Sequence, residues 1–194
     1  MQINHQSIFP TIVSDLKLPA FSSIKDSLIQ WIYNYQENTE GVNKSNRGGW
    51  QSPDDFWREE SFKEFYDYIS VGFSMWNTAY PEYSYSISNM WINVNKPGDY
   101  NTLHVHPLSK MSGCFYIKVP ENSGSIIFEC PSYYVNFNLH RSINSELADQ
   151  FNFYSSWCMN PYEGTMLFFP PHLQHEVATN QSNEDRITIA FNLD

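Results

Sequence analysis

Apolar residues follow two rhythms along this chain, and the change from one to the other comes near Pro81. Before it, Ile24, Leu28, Trp31, Ile32 and Tyr35 recur at spacings of three and four, which puts them on one stripe of a helix starting near Ser22. A second stripe, Phe62, Phe65, Tyr66, Ile69, Phe73 and Trp76, predicts another helix or helix pair. Ser52-Pro53-Asp54-Asp55 opens it as N-cap, first-turn proline and acidic residue, and it closes before Tyr80-Pro81. The stretch Gly41–Gln51, with Gly48-Gly49, reads as a loop. Ile8–Val13 reads as a short edge strand, where Pro10 is tolerated.

After Pro81 the pattern turns to short alternating or β-branched runs. These predict strands near Tyr83–Val94, Leu103–His106, Gly113–Val119, Ser125–Glu129, Tyr133–Phe137, Phe151–Cys158, Thr165–Phe169, His175–Ala178 and Arg186–Asn192. Turns fall at Lys96-Pro97-Gly98, Glu121–Gly124 and Asn160–Gly164. Helices followed by many short strands is the order of a mainly β, α+β jelly roll whose helices brace one sheet. The helical part takes residues 1–80 and the jelly-roll core residues 81–194.

Length and composition narrow this further. A chain of 194 residues fits one domain, since a single core grows to about 250 residues before it splits. Aromatic residues make up 17% and charged residues 16%, the reverse of a disordered chain. A net charge of −10, with 11 scattered basic residues, argues against a nucleic-acid partner, which needs clustered Lys and Arg. Cys114, Cys130 and Cys158 are odd in number and lack C-x-x-C spacing, so neither a disulfide framework nor a zinc ribbon is indicated and a reducing, cytoplasmic setting is expected. Met1–His5 carries no basic region leading into an apolar stretch, and no long apolar run occurs, so neither export nor a membrane partner is expected.

The chemistry concentrates in His104-Val105-His106, answered by His175 and then Arg186. Imidazoles at i and i+2 of one strand share a face, with Val105 turned toward the other sheet, and a third from a distant strand completes a facial set of nitrogen donors. The commoner face has two His and one carboxylate and suits non-haem Fe(II); His106 stands at the carboxylate position. Two readings of His106 are open. Either it ligates, or it turns away and leaves water or a remote carboxylate such as Asp99 or Glu129 on the metal, while His172 competes with His175 for the distal place.

In this layout the chain resembles the Fe(II)/2-oxoglutarate-dependent oxygenases, which carry H-x-D/E, a distal His and a basic residue about ten positions later. More narrowly, H-x-H, the Ser112-Gly113 run through Tyr116, Gly164 to Phe169-Pro170, Phe9-Pro10 and Gly49-Trp50-Gln51-Ser52 resemble a group of oxygenases frequent in marine bacteria and their phages. For a phage-encoded chain the setting would be the host cytoplasm. The resemblance implies a double-stranded β-helix with Fe(II) on His104, His106 and His175 and 2-oxoglutarate as co-substrate. It places Arg186 on the far carboxylate of 2-oxoglutarate, with Asn93 and Asn95 as further co-substrate contacts. Tyr116 reaches the same carboxylate or only packs the core. The implied activity is hydroxylation of an unidentified small-molecule or peptide substrate, with release of succinate and CO2. Tyr133-Tyr134 is a candidate for the pocket mouth. The alternatives are a three-His dioxygenase that uses no 2-oxoglutarate, and a non-catalytic metal-binding jelly-roll module.

Overall fold

The computed structural model describes residues 3–82 and 84–194, so Tyr83, where the strand reading Tyr83–Val94 begins, lies outside the described residues. The chain starts with β1 (Ser14–Lys17), then α1 (Lys25–Asn38), β2 (Asn46–Arg47), β3 (Trp50–Gln51) and α2 (Lys63–Asn77). It continues through β4 (Ile87–Asn95), β5 (Tyr100–His104), β6 (Met111–Lys118), β7 (Ile126–Glu129), α3 (Tyr133–Ser142) and α4 (Ser145–Phe151). It ends with β8 (Ser156–Met159), β9 (Thr165–Phe169), β10 (His175–Val177) and β11 (Arg186–Leu193). The strands form two antiparallel sheets, a six-stranded one in the order β1-β9-β6-β11-β4-β3 and a five-stranded one in the order β2-β5-β10-β7-β8.

Strand alternation gives the larger sheet two unlike faces. Met90, Ile92 and Val94 of β4, Phe115 and Ile117 of β6, Met166 and Phe168 of β9 and Ile187, Ile189 and Phe191 of β11 join one core with Leu28 and Ile32 of α1 and Phe65, Ile69 and Trp76 of α2. Both predicted helical stripes therefore rest on this face. Gly72 of α2 is buried where a Cβ would come within 2.1 Å of Met166 Sδ, so glycine lets the helix approach β9. The opposite face looks toward the smaller sheet. At one end Tyr116, Leu167 and Phe169 pack with Ile126, Phe128 and Leu173. At the other end the same face is polar: Asn93, Asn95, Arg186, Thr188 and Asn192 are buried there.

Several expectations are corrected. The first strand is Ser14–Lys17, paired with β9, while Ile8, Phe9 and Ile12 stay exposed ahead of it. Gly41–Gln51 contains β2 and β3, one on each sheet, so it is a corner between sheets and not a plain loop. Ser52 does not cap a helix: its Oγ accepts from Ile92 N at 2.9 Å, two short 3-10 turns intervene, and α2 starts at Lys63. The segment expected as the strand Tyr133–Phe137 is helical, because β8 takes the place beside β7 and the N–H of Asn136 is satisfied locally by Ser132 O at 3.0 Å. Phe151 closes α4, whose Asn144 cap accepts from Leu147 N, so the next strand begins only at Ser156. No helix among the described residues is long and apolar enough to cross a membrane.

Candidate metal centre

His104 ends β5, His106 follows it, and His175 opens β10 directly opposite His104 in the register. The ligand atoms of the three imidazoles all lie within 4.8 Å of one another, and His106 Nε2 is 3.3 Å from His175 Nε2. Two of the rings are held alike: His104 Nδ1 sits 2.7 Å from Thr102 O and His175 Nδ1 2.9 Å from Leu173 O. A carbonyl accepts only, so each Nδ1 carries the proton and each Nε2 offers its lone pair to the centre. Burial holds all three below the ordinary imidazole range. His106 is pulled to about 3 by burial and then by His175 and His104, and His175 to about 4 by burial and then by His104. The cluster is therefore neutral at pH 7 and suited to a divalent cation.

Val105 lies past the end of β5 and is 38% exposed. The rival groups are placed elsewhere. His172 is exposed, Asp99 is engaged by Lys96 N at 2.7 Å, and Glu129 is outside the cluster.

Arg186 opens β11 and shares a cavity of about 50 Å³ with the three imidazoles, Asn93 and Tyr116. Arg186 is 2% exposed. Nη1 donates to Ser123 O at 3.0 Å and Gly124 O at 3.1 Å, and Nη2 donates to Asn95 Oδ1 at 3.0 Å. Every one of these acceptors is neutral, and among the described residues no carboxylate pairs with the group. Burial lowers its pKa from the usual value, opposed by the nearby Tyr116, Cys114 and Asp99, and guanidinium remains charged. Asn93 Oδ1 is buried without a partner, while its Nδ2 reaches Thr188 Oγ1 at 3.5 Å. Tyr116 is buried, and burial pushes its hydroxyl well above the usual phenol range. Asn95 does not line the cavity but orients Arg186.

A buried cation with an unspent guanidinium face and three converging neutral imidazoles fit a divalent metal together with a small anion. The sequence reading missed Trp91, Cys114 and Thr188, which line the same cavity. Two-residue counting from Asn93 and Arg186 finds Trp91 and Thr188. Asn101 also faces in, but β5 carries an extra residue between Asn101 and His104 relative to β10, and this bulge reverses the parity. Tyr133 and Tyr134 lie on α3, with Tyr134 94% exposed, and neither lines the cavity or the adjoining groove.

Comparison with known proteins agrees with this chemistry. No curated protein matches the sequence. In fold the chain is similar to a prolyl-4-hydroxylase from Pseudomonas putida, with TM-score 0.63 and 10% identity over 94% of this chain and 92% of that one. It is also similar to the viral collagen prolyl hydroxylase of Paramecium Bursaria Chlorella virus-1 in its 2-oxoglutarate complex, with TM-score 0.61 and 15% identity over 93% and 94%. HygX from Streptomyces hygroscopicus, with nickel and 2-oxoglutarate bound, gives TM-score 0.62 and 13% identity over 94% and 82%. The family model described as "Putative 2OG-Fe(II) oxygenase" matches residues 89–192, more than half of the chain and the whole span from Asn89 to Asn192 that carries the imidazoles and Arg186. The chain belongs to this family of oxygenases, with Fe(II) and 2-oxoglutarate as its cofactor and co-substrate.

Proposed function

We propose that the chain is a hydroxylase built on a double-stranded β-helix braced by α1 and α2. Nε2 of His104, His106 and His175 holds the Fe(II), and Arg186 binds the distal carboxylate of 2-oxoglutarate. The observation that carries this reading is Arg186: a guanidinium buried beside the imidazoles with only neutral partners. A buried unpaired charge costs several kcal/mol, and a dicarboxylate lying between Arg186 and the metal face offsets that cost. A charge held ready for an anion argues against a non-catalytic module; in a three-His dioxygenase without co-substrate Arg186 would anchor an acidic substrate instead, and succinate release separates the two.

The bound iron and co-substrate supply the oxidising power, in the balanced reaction R–H + 2-oxoglutarate + O2 → R–OH + succinate + CO2. The chain supplies order. Asn95 and the Ser123 and Gly124 carbonyls hold the Arg186 fork in place, and the backbone bonds of His104 and His175 fix the metal-facing nitrogens. Asn93 Nδ2 and the Tyr116 hydroxyl contribute donors to the same carboxylate. Phe169 and Phe128 pack beside His175 and keep water from the far side of the cluster. The three unpaired cysteines support the cytoplasm as the place of work. Succinate release that requires both Fe(II) and 2-oxoglutarate tests the proposal; 2-oxoglutarate left intact by the iron-loaded chain, with and without candidate substrates, would overturn it.

A further inference from the structure

Beyond the histidine cluster the interior opens into a groove of about 650 Å³, within the range of small-ligand sites. Trp91, Asn89 and Asn192 from the six-stranded sheet, Gln51 from β3, the following Asp54, and Lys44 ahead of β2 line it. His104 and His106 form its inner end, so whatever fills it lies against the metal face.

Three observations define its chemistry. Ser112 Oγ, fully buried, donates to Asn192 Oδ1 at 2.6 Å, Asn192 Nδ2 donates to Asn89 Oδ1 at 2.9 Å, and Asn89 Nδ2 donates to Asp54 Oδ2 at 3.4 Å. All of these bonds point outward, and the row of bonds ends on a carboxylate that only accepts. Gln51 is 6% exposed, and its Oε1 is buried without a donor. The Trp91 ring stands 5.5 Å from the His106 ring, a flat apolar wall beside the reacting position. Unspent acceptors next to a flat wall call for a ligand that brings N–H and O–H donors on a ring. Asp54 forms no ion pair among the described residues and favours an ammonium, as does a net charge of −10. Lys44 lines the same groove, so an anionic ring is the control that separates the two charges. A peptide that docked by adding a strand beside Gln51 would find that position taken, since Val42 N donates to Gln51 O at 2.8 Å.

We propose that this groove is the substrate site and takes an amine-bearing, hydroxylated ring of the amino sugar or aminocyclitol kind. Its ammonium lies on Asp54, its hydroxyls on Gln51 and Asn89, and its apolar face on Trp91. The assignment rests on the hydroxylase reading above. Ligand-observed NMR on the whole chain tests it, with 2-deoxystreptamine, glucosamine, glucuronate and a proline-containing tripeptide amide as probes. The amine-bearing rings are expected to bind and glucuronate to be rejected. Asp54→Asn, at an exposed side chain, is expected to weaken 2-deoxystreptamine at least tenfold, and Trp91→Ala to weaken both rings. No binding by either amine-bearing ring, equal binding of glucuronate or the tripeptide, or an unchanged Kd in Asp54→Asn overturns the proposal. Succinate release by the iron-loaded wild type without any probe is read in parallel. Succinate without ring binding rejects the groove assignment alone, and ring binding without succinate rejects the reaction while upholding the groove's chemistry.

Discussion

Arg186 and Asn95 are register partners across β11 and β4, and the same pair is joined side chain to side chain by Nη2 donating to Oδ1 at 3.0 Å. A guanidinium placed this way is tied to the sheet at its root and at its tip. It presents its remaining surface to the cavity already oriented, which lowers the entropy lost when a carboxylate docks.

Removing that fork is expected to weaken 2-oxoglutarate selectively. Arg186→Ala loses a desolvated charged contact of about 2–5 kcal/mol, roughly thirtyfold to a few thousandfold in Kd. Asn95→Ala, which only frees the fork, is expected to lose less. Calorimetry with 2-oxoglutarate measures both, and metal analysis is expected to show iron stoichiometry retained. Equal 2-oxoglutarate affinity in wild type and Arg186→Ala would remove Arg186 from the co-substrate site.

His106 tests the three-nitrogen face. Alanine at His104 or His175 is expected to abolish Fe(II) binding, and His106→Ala to reduce it comparably. His106→Asp is expected to restore it, since a carboxylate adds charge neutralisation at a hard cation. Anaerobic Fe(II) titrations at one pH decide this. A His106→Ala variant that binds iron like wild type would leave a two-imidazole site.

The corner between the sheets bears on the same region. Gly49 has φ +61, and a Cβ there would meet Asn95 Nδ2 at 2.9 Å and Val94 O at 3.2 Å. Gly49→Ala is therefore expected to destabilise by about 1–3 kcal/mol and to disturb the side chain that holds Arg186. Chemical denaturation and 2-oxoglutarate titration together test this, and a variant with unchanged midpoint and affinity would contradict it.

Thiol reactivity reports on the cavity. Burial, opposed by Thr188, Arg186 and Tyr116, pushes the Cys114 thiol up to about 12, whereas Cys158 is exposed. Little Cys114 thiolate forms at pH 8, so iodoacetamide is expected to modify the exposed Cys158 first and Cys114 much more slowly. Peptide mass spectrometry after timed alkylation reads the order; early labelling of Cys114 in the folded chain would show the cavity to be open.

Strand periodicity made much of the interior legible. Within β4 and β11 the period of two sends Ile92 and Ile189 to the helices and Asn93 and Thr188 to the cavity, and the helical spacing of Leu28 and Ile32 marks what covers the sheet. The i, i+2 spacing of His104 and His106 likewise sets their common face from the sequence. Partners were a different matter. Tyr133–Phe137 has a strand-like composition, yet it coils because β8 takes the edge of β7, a choice made by a segment about twenty residues away. Ser52 looks like a helix cap, but its hydroxyl is used by Ile92 N on a strand forty residues on. Asn101 turns inward only because the register with β10 carries an extra residue, and Asn95 meets Arg186 only because β4 and β11 are neighbours. The sequence by itself determined which face each residue of a regular element occupies, since the backbone period is local. Only the tertiary structure decided which faces meet, because strand order, register and bulges follow from burying and satisfying the whole chain at once.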